Sequence, residues 1–322
     1  MIKSKGLVIH PEELSEYWVK RFLSTDLDLL GLHPVGGITG GRTVDDMIEW
    51  QKNAENKRLL HRLTEKGIEI EHEMHVLSWL LPRDLFSKQP EWFRMDENGN
   101  RVNDFHFCHS NPDALAYISE RSKKLAEIFV PTTGRYHFWI DDRRNAHCHC
   151  AKCAQTGYSD SDAAMLVYNA MLAGIKAFDA KAKQCYLAYH DTSPAPSKIK
   201  PSEGIFLEYA PMDRDPDRSM RDPSSEKNKK TAGDIDGLLQ VFPREDAKAL
   251  DYWLDSSWHS GHKKPIKKFP FHADVAAEDI AFYHEKGFEI ITCFACFLGE
   301  EYFLLHHEEV DLSAYAQAFH KL

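Results

Sequence analysis

The chain lacks the long apolar runs found in membrane-spanning proteins and in secretion signals. No segment reaches the stretch of about 18 consecutive apolar residues that a membrane helix needs. The first six residues, Met-Ile-Lys-Ser-Lys-Gly, also lack the apolar core of a signal peptide. We therefore expect no membrane partner and a cytoplasmic location.

The chain also has fewer basic than acidic residues. The 322 residues include 40 Lys and Arg against 50 Asp and Glu, which gives a formal net charge of -10. Because nucleic-acid-binding surfaces neutralise phosphates with an excess of basic residues, this balance argues against a nucleic-acid partner. No G-x-G-x-x-G pattern follows any predicted strand, and this absence argues against a dinucleotide-binding fold.

The seven cysteines are odd in number, and three of them are clustered, unlike the evenly paired cysteines of a small disulfide scaffold. Cys148, Cys150 and Cys153 form a C-x-C-x-x-C cluster that supplies three of the four ligands zinc prefers. Cys108 is the first candidate for the fourth ligand. The substitutes for it are His109, His147 and His149. Four protein ligands would make the zinc structural, whereas three ligands with a bound water would allow catalysis. We predict a structural Zn²⁺; the alternative is that these cysteines are free thiols.

Apolar runs alternate with helical patterns along the whole chain, which is typical of an α/β protein with parallel strands. Strands are predicted over residues 7–10, 27–33, 68–77, 136–140, 185–189, 205–207, 256–259 and 288–298. Helices are predicted over residues 11–23, 43–66, 111–129, 160–182, 244–254, 275–286 and 312–322. Eight such units in 322 residues predict a single-domain (β/α)8 TIM barrel rather than an open, doubly wound sheet. Residues 212–237, charged and rich in Pro, Gly and Ser, predict a long mobile loop after strand six, either a lid or a solvated insertion.

The active site of a TIM barrel forms at the carboxyl ends of its strands. In this sequence almost every predicted strand end carries a polar or titratable residue, from His10 onward. The side chains that we predict to bind substrate are His33, Glu73, His75, Trp79, His190, Tyr209 and Trp258. The histidines would hydrogen-bond to substrate hydroxyls, and the tryptophans could stack on the face of a sugar.

Three carboxyls are candidates for catalysis. Asp141 and Asp142 end the fourth predicted strand, and Glu208 ends the sixth. Hydrolysis of a glycosidic bond needs two carboxyls that flank one atom, one protonated and the other charged. Because side chains alternate along a strand, one of the adjacent aspartates should face the substrate while the other orients a neighbour or caps the backbone. We predict Asp142 as the acid and Glu208 as its partner. The alternatives are an ion pair with a nearby arginine for the aspartates and a salt bridge inside the barrel for Glu208.

Several stretches resemble the domain-of-unknown-function 4838 family. They are Gln89-Pro90-Glu91-Trp92-Phe93, Phe107-Cys108-His109-Ser110-Asn111-Pro112, residues 141–153, Leu187-Ala188-Tyr189, Tyr252-Trp253-Leu254-Asp255 and residues 292–302. The resemblance implies a glycosidase-like TIM barrel, akin to α-glucuronidases and hexosaminidase-type barrels. Its pairing of a cysteine before Ser-Asn-Pro with a later C-x-C-x-x-C implies that Cys108 is the fourth metal ligand. The family typically has a Ser/Asn-Pro-Asn-Asp-like stretch whose last residue corresponds to Asp142.

We therefore expect a glycoside hydrolase that acts on an O-glycosidic bond of a carbohydrate or glycoside, with zinc bracing the loops around its site. The alternatives are a carbohydrate-binding barrel without catalysis and a zinc-dependent hydrolase such as a deacetylase. An oligomer is compatible with the sequence.

Overall fold

The computed structural model describes residues 2–35 and 40–322. Eight parallel strands close into a barrel in sequence order, each paired with the next and β8 paired with β1. The strands are β1 Ser4–Ile9, β2 Leu29–Leu32, β3 Glu69–His75, β4 Arg135–Trp139, β5 Lys183–Ala188, β6 Ile205–Tyr209, β7 Lys248–Asp251 and β8 Ile290–Phe294. The predicted (β/α)8 barrel is confirmed.

Helices surround the barrel. They are α1 Glu16–Leu23, α2 Gly40–Lys52, α3 Ala54–Thr64, α4 Leu77–Leu80, α5 Pro112–Ile128, α6 Ala151–Thr156, α7 Asp160–Lys176, α8 Glu226–Gly233, α9 Ile235–Val241, α10 Ser256–His259, α11 Ala273–Lys286, α12 Glu300–His306 and α13 Leu312–Ala318. Among the helices that the structure describes, none has both the length and the apolar character needed to cross a membrane.

Local capping explains where several helices begin. Asn111 accepts hydrogen bonds from two backbone N–H groups at the start of α5, where Pro112 has no N–H group that would need an acceptor. Ser159 and Asp162 form a capping box at the start of α7. The single helix predicted over residues 43–66 is two helices, because Asn53 leaves the helical conformation and caps α3 with its side chain. The boundary therefore follows from capping chemistry that the hydrophobic pattern alone does not show.

The seventh strand lies where a helix was predicted. Residues 248–251 form β7, and residues 256–259, predicted as the strand, form α10. Asp255 starts α10 by accepting hydrogen bonds from the backbone N–H groups of Ser257 and Trp258. This correction moves the carboxyl end of the seventh strand to Asp251 and places residues 252–255 on the barrel mouth.

The connection after β6 is longer than most but is not one extended loop. It contains α8, and its buried Arg214 donates hydrogen bonds to Asp251 at 2.7 Å and to Asp279 at 2.5 Å. Asn228, also buried, bonds to three backbone oxygens of the same connection. Residues 212–237 therefore include a helix and buried polar contacts with the rest of the barrel, and their predicted mobility stays a prediction.

The interior of the barrel is polar at its centre. Glu71 and Glu73 point inward from β3 because alternate residues of a strand face the same side. Lys248 of β7 reaches both of them, at 3.2 Å and 2.6 Å. The charged alternation in β3, unusual for a buried strand, is thus matched by a lysine from across the barrel.

Candidate active site

A cavity of about 250 Å³ opens at the carboxyl ends of the strands. Tyr252 and Phe294 stack in its wall, with ring centroids 5.2 Å apart and an angle of 18° between the rings. Three of the predicted site residues line this central cavity: His33, His75 and Asp142. The position agrees with the usual place of a TIM-barrel site.

Asp142 lies just after β4, half-buried at the edge of the central cavity. The Tyr189 side chain, which directly follows β5, also lines the cavity and lies near Asp142. Burial and the nearby Asp142 carboxylate hold the pKa of Tyr189 well above its usual value, so this hydroxyl keeps its proton. Asp142 thus lies near a hydroxyl group and is open to a ligand.

The Asp141 side chain faces away from the central cavity and hydrogen-bonds to neighbouring loops. One of its oxygens accepts hydrogen bonds from the backbone and hydroxyl of Ser78, at 3.0 and 2.7 Å. The other accepts from Arg83 at 2.8 Å and from the backbone of His106 at 2.7 Å. Burial would raise the pKa of Asp141, but Arg83, His106 and these hydrogen bonds lower it. Both oxygens of Asp141 therefore bond to neighbouring loops, and this favours a structural role for Asp141 over the predicted catalytic one.

Glu208 lies inside the barrel, beneath the central cavity. Its carboxylate is fully buried and accepts from His137 and from the Trp139 indole N–H, both at 2.8 Å, and it lies 3.1 Å from Lys248. Burial opposes ionisation, yet His137 and Lys248 hold the pKa of Glu208 well below its usual value. Trp139 lines the cavity and Glu208 does not, and this disfavours the predicted pairing of Asp142 with Glu208. The alternative of a salt bridge inside the barrel is the one observed.

Three predicted substrate-binding residues do not line the cavity either. Glu73 is fully buried against Lys248. Tyr209 points out of the barrel, where its hydroxyl donates to the backbone oxygen of Thr231 at 2.9 Å. Trp79 lies on α4 and donates to Asp45 at 2.8 Å. The structure therefore places all three side chains outside the cavity wall, since a position near a strand end does not decide which way a side chain points.

His190 lines a neighbouring, smaller cavity of about 70 Å³ beside the central one. Its backbone has a positive φ of 50°, and its ring contacts Arg144 and Asp213. The two cavities share His75 and Tyr189. His190 is therefore close to the predicted site but does not line the central cavity.

Asp255 is the residue that the sequence analysis missed. It lines the central cavity, and with Asp142 it makes up the carboxyl groups among the described lining residues. One oxygen accepts from Ser257 and Trp258 at the start of α10. Burial raises the pKa of Asp255. The sequence feature that could have identified Asp255 is its position before Ser-Ser, a helix-capping pattern. Because the seventh strand was predicted over residues 256–259, Asp255 was not expected at the carboxyl end of a strand.

Another cavity, the second cavity, has a volume of about 230 Å³ and adjoins the central cavity. Its walls include the rings of Trp253, Trp258 and Phe269, and it shares Tyr252 and Asp255 with the central cavity. Trp258, predicted to bind substrate, lies here. Asp255 therefore stands at the junction of two spaces that both have aromatic walls.

The four cysteines predicted to bind metal come together. Cys108, Cys148, Cys150 and Cys153 are buried, and their sulfur atoms all lie within 4.8 Å of one another. The Cys108 sulfur lies 3.7 Å from that of Cys150 and 3.5 Å from that of Cys153. Four thiolates at about 2.3 Å from a tetrahedral zinc would be about 3.8 Å apart. The Met95 backbone N–H also donates to the Cys148 sulfur at 3.3 Å, and the geometry fits a tetrathiolate zinc site.

Comparison with known proteins identifies relatives at the level of family and fold. The model of the family described as "Domain of unknown function (DUF4838)" matches residues 41–293. No curated protein matches the sequence. The structure is similar to a β-galactosidase from the psychrophilic Marinomonas ef1, with a TM-score of 0.51, 11% identity and 90% of this chain covered. The chain spans about half, 53%, of the length of that protein.

A second similar structure is a GH20 catalytic module of the pneumococcal exo-β-D-N-acetylglucosaminidase. It has a TM-score of 0.52 and 12% identity, with 98% of this chain and 84% of the other covered. At these identities the similarity establishes a glycoside-hydrolase-like TIM-barrel fold.

Proposed function

The chain belongs to the DUF4838 family, and within that family we propose that it is a glycoside hydrolase acting through Asp142 and Asp255. The observation that carries the proposal is that these two carboxyls both line the central cavity. They follow β4 and β7, three strands apart around the ring, so a ligand in the cavity would have one carboxyl on each of two sides. That arrangement is what glycosidic cleavage requires. The fold shared with two glycosidases adds support by analogy.

The environments of the two carboxyls favour different roles. Burial raises the pKa of Asp255, which keeps its proton available at higher pH and suits a general acid. Asp142 is more exposed than Asp255 and lies near the Tyr189 side chain, which suits a carboxylate that faces the substrate. Asp255 would donate its proton to the glycosidic oxygen as the bond to the anomeric carbon breaks. Asp142 would stabilise the positive charge that develops at that carbon. A water molecule would then add its oxygen to the anomeric carbon and give up a proton, which restores the protonated form of Asp255. These roles differ from the sequence prediction, in which Asp142 was the acid.

The second cavity fits the leaving group. A proton donor must lie beside the oxygen that joins the two sugar rings, and Asp255 lies where the two cavities meet. Aromatic faces such as that of Trp258 favour a sugar ring. The sugar that is cleaved would occupy the central cavity, and the group released would occupy the second.

We also propose that the four clustered cysteines hold a structural zinc ion. The metal would link Cys108, on the segment before α5, to Cys148, Cys150 and Cys153 on the segment after β4. That segment begins with Asp141 and Asp142, so the metal would restrict where Asp142 can lie. Four thiolates leave no open position for a water, which disfavours the alternative of a zinc-dependent hydrolase.

The test of the glycosidase proposal is turnover of a panel of aryl glycosides by the wild type and three carboxamide variants. Asp142→Asn and Asp255→Asn should each lower kcat/KM by at least about a hundredfold. Asp236→Asn, the same chemical change at an exposed ion pair with Lys286, should leave kcat/KM unchanged.

Wild-type turnover that persists in both cavity variants would refute the assignment. Binding of sugars without any turnover by the wild type would instead support the alternative of a carbohydrate-binding barrel.

A further inference from the structure

Three histidines stand side by side at the carboxyl ends of β1, β2 and β3. His10 directly follows β1, His33 directly follows β2, and His75 is the last residue of β3. All three line the central cavity. Neighbouring ring centroids are 6.0 Å apart for His10 and His33 and 5.9 Å apart for His33 and His75. The row therefore occupies one continuous side of the cavity.

The same hydrogen bond recurs at each of the three rings. The Nδ1 atom of His10 lies 2.7 Å from the backbone oxygen of His33, and Nδ1 of His33 lies 2.8 Å from that of Glu73. Nδ1 of His75 lies 2.5 Å from the backbone oxygen of Ile140. In each case the oxygen belongs to the next strand or to the residue just after it.

These bonds decide what the other ring nitrogen can do. A backbone oxygen can only accept, so each Nδ1 must carry the hydrogen and donate. In the neutral ring, Nε2 then has a lone pair and can only accept. No described side chain or backbone group bonds to Nε2 of His10, His33 or His75. The cavity thus presents three fixed acceptors that lack a protein donor.

His33, at the centre of the row, is held both in place and in the neutral form. Its ring packs against those of Trp139 and Phe294, with centroids 5.2 and 5.3 Å away. Burial, together with the neighbouring rings of His75 and His10, holds the pKa of His33 well below its usual value. The ring therefore remains an acceptor at neutral pH.

A shared metal ion is a poor explanation for the row. The three histidines are not among the groups of the described chain whose ligand atoms all lie within 4.8 Å of one another. The charged side chains among the described residues lining the cavity are Asp142 and Asp255, and no lysine or arginine is among them. The cavity therefore suits a ligand that offers several hydrogen-bond donors and no negative charge.

We infer that His10, His33 and His75 form a row of acceptors that binds the hydroxyl groups of a neutral sugar ring and discriminates against uronic acids. Each sugar hydroxyl can donate to one Nε2. A uronic acid would bring a carboxylate beside acceptor lone pairs and two protein carboxyls, where it would be buried without a cationic partner. The inference rests on the proposed function in one respect, that the central cavity holds the sugar that is cleaved.

The test measures binding, so that its outcome does not depend on turnover. Calorimetric titration at pH 7.5 compares three pairs of sugars: glucose with glucuronate, galactose with galacturonate, and mannose with mannuronate. For the neutral sugar that binds best, we expect an affinity at least about tenfold higher than for its uronate, the change associated with one well-placed hydrogen bond.

Matched variants separate acceptance by Nε2 from a structural role. His33→Asn retains a donor at the Nδ1 position, so it can keep the bond to Glu73, but it removes the Nε2 acceptor. It should weaken neutral-sugar binding about tenfold while the protein stays folded at the temperature of the titration. His33→Gln can place an amide oxygen near the Nε2 position and should recover part of the loss. His61→Asn, the same change on an exposed helix surface, should have no effect.

The outcomes distinguish this inference from the proposed function. Hydrolysis of glycosides together with tighter binding of a uronate would overturn the inference and leave the function standing. Selective binding of a neutral sugar that depends on His33, without hydrolysis, would support the inference and overturn the function. If no sugar of either kind binds, or if His33→Asn binds as the wild type does, the inference fails.

Discussion

Replacing Glu73 with glutamine should change the pH dependence of stability in a direction that the barrel interior dictates. Burial raises the pKa of Glu73 from 4.5 to about 7, because the neighbouring carboxylates Glu208 and Glu71 add to the effect of burial while Lys248 only partly offsets it. In the folded protein this carboxyl therefore keeps its proton over a range in which the unfolded chain has lost it. Stability from this group is fully present below pH 4.5 and is lost as the pH rises through about 7.

The size of the effect follows from that shift. Each pH unit between the two pKa values is worth about 1.4 kcal/mol of folding stability. Ionisation of Glu73 should therefore lower the free energy of unfolding of the wild type by about 3 kcal/mol between low pH and pH 8. A glutamine resembles the protonated carboxyl and does not titrate, and its amide oxygen can still accept from Lys248. The free energy of unfolding of Glu73→Gln, relative to the wild type, should therefore rise by about 3 kcal/mol between pH 4.5 and pH 8.

Glu71, two residues away on the same face of β3, provides the control. Arg135, His137 and Lys248 hold its pKa well below the usual value in spite of burial. Its ionised form therefore contributes stability that is present above pH 4.5 and is lost as the pH falls. Glu71→Gln should be destabilised by roughly 3–5 kcal/mol from pH 5 to pH 8. The assay is urea denaturation at several pH values. Equal effects of Glu73→Gln at pH 5 and pH 8 would refute this account of the interior.

Two other predictions concern the metal site and the long connection after β6. The purified protein should contain one zinc ion per chain, and Cys150→Ser should lose it. Cys293→Ser, at a buried cysteine outside the cluster, should keep it; equal zinc content in the two variants would contradict the site. Arg214→Leu should lower the free energy of unfolding by roughly 3–5 kcal/mol because it leaves two buried carboxylates without their cation. Arg218→Leu, which removes an exposed arginine from the same connection, should change it by less than about 1 kcal/mol, and equal effects would show that the connection is not anchored through Arg214.

The barrel and the cysteine cluster could be predicted from sequence because both depend on local patterns. Alternating apolar runs and helices define parallel strands, and the closely spaced Cys148, Cys150 and Cys153 need only one distant partner. The positions of His33, His75 and Asp142 followed once the strands were in order. These residues directly end or follow strands whose apolar runs are easy to recognise.

The rest depended on contacts between distant parts of the chain. Strand β7 is only four residues long and begins with Lys248, whose burial makes sense only beside Glu71 and Glu73 from the other side of the barrel. Its sequence therefore resembles part of a polar helix. With that strand misplaced, Asp255 could not be recognised as a residue of the rim. Similarly, Glu208 lies at a predicted strand end, but its side chain faces the barrel interior, where it pairs with His137 and Lys248.

The most direct test of catalysis by Asp255 and Asp142 is the dependence of kcat/KM on the leaving group. Wild type, Asp255→Asn and Asp142→Asn would be compared on aryl glycosides of one sugar whose phenols range from acidic nitrophenols to phenol itself. If Asp255 is the proton donor, the loss in Asp255→Asn should be small for the most acidic phenol and grow to at least about a hundredfold for phenol, whereas the loss in Asp142→Asn should be large throughout. A loss in Asp255→Asn that is the same for every leaving group, or no loss at all, would contradict the proposed mechanism.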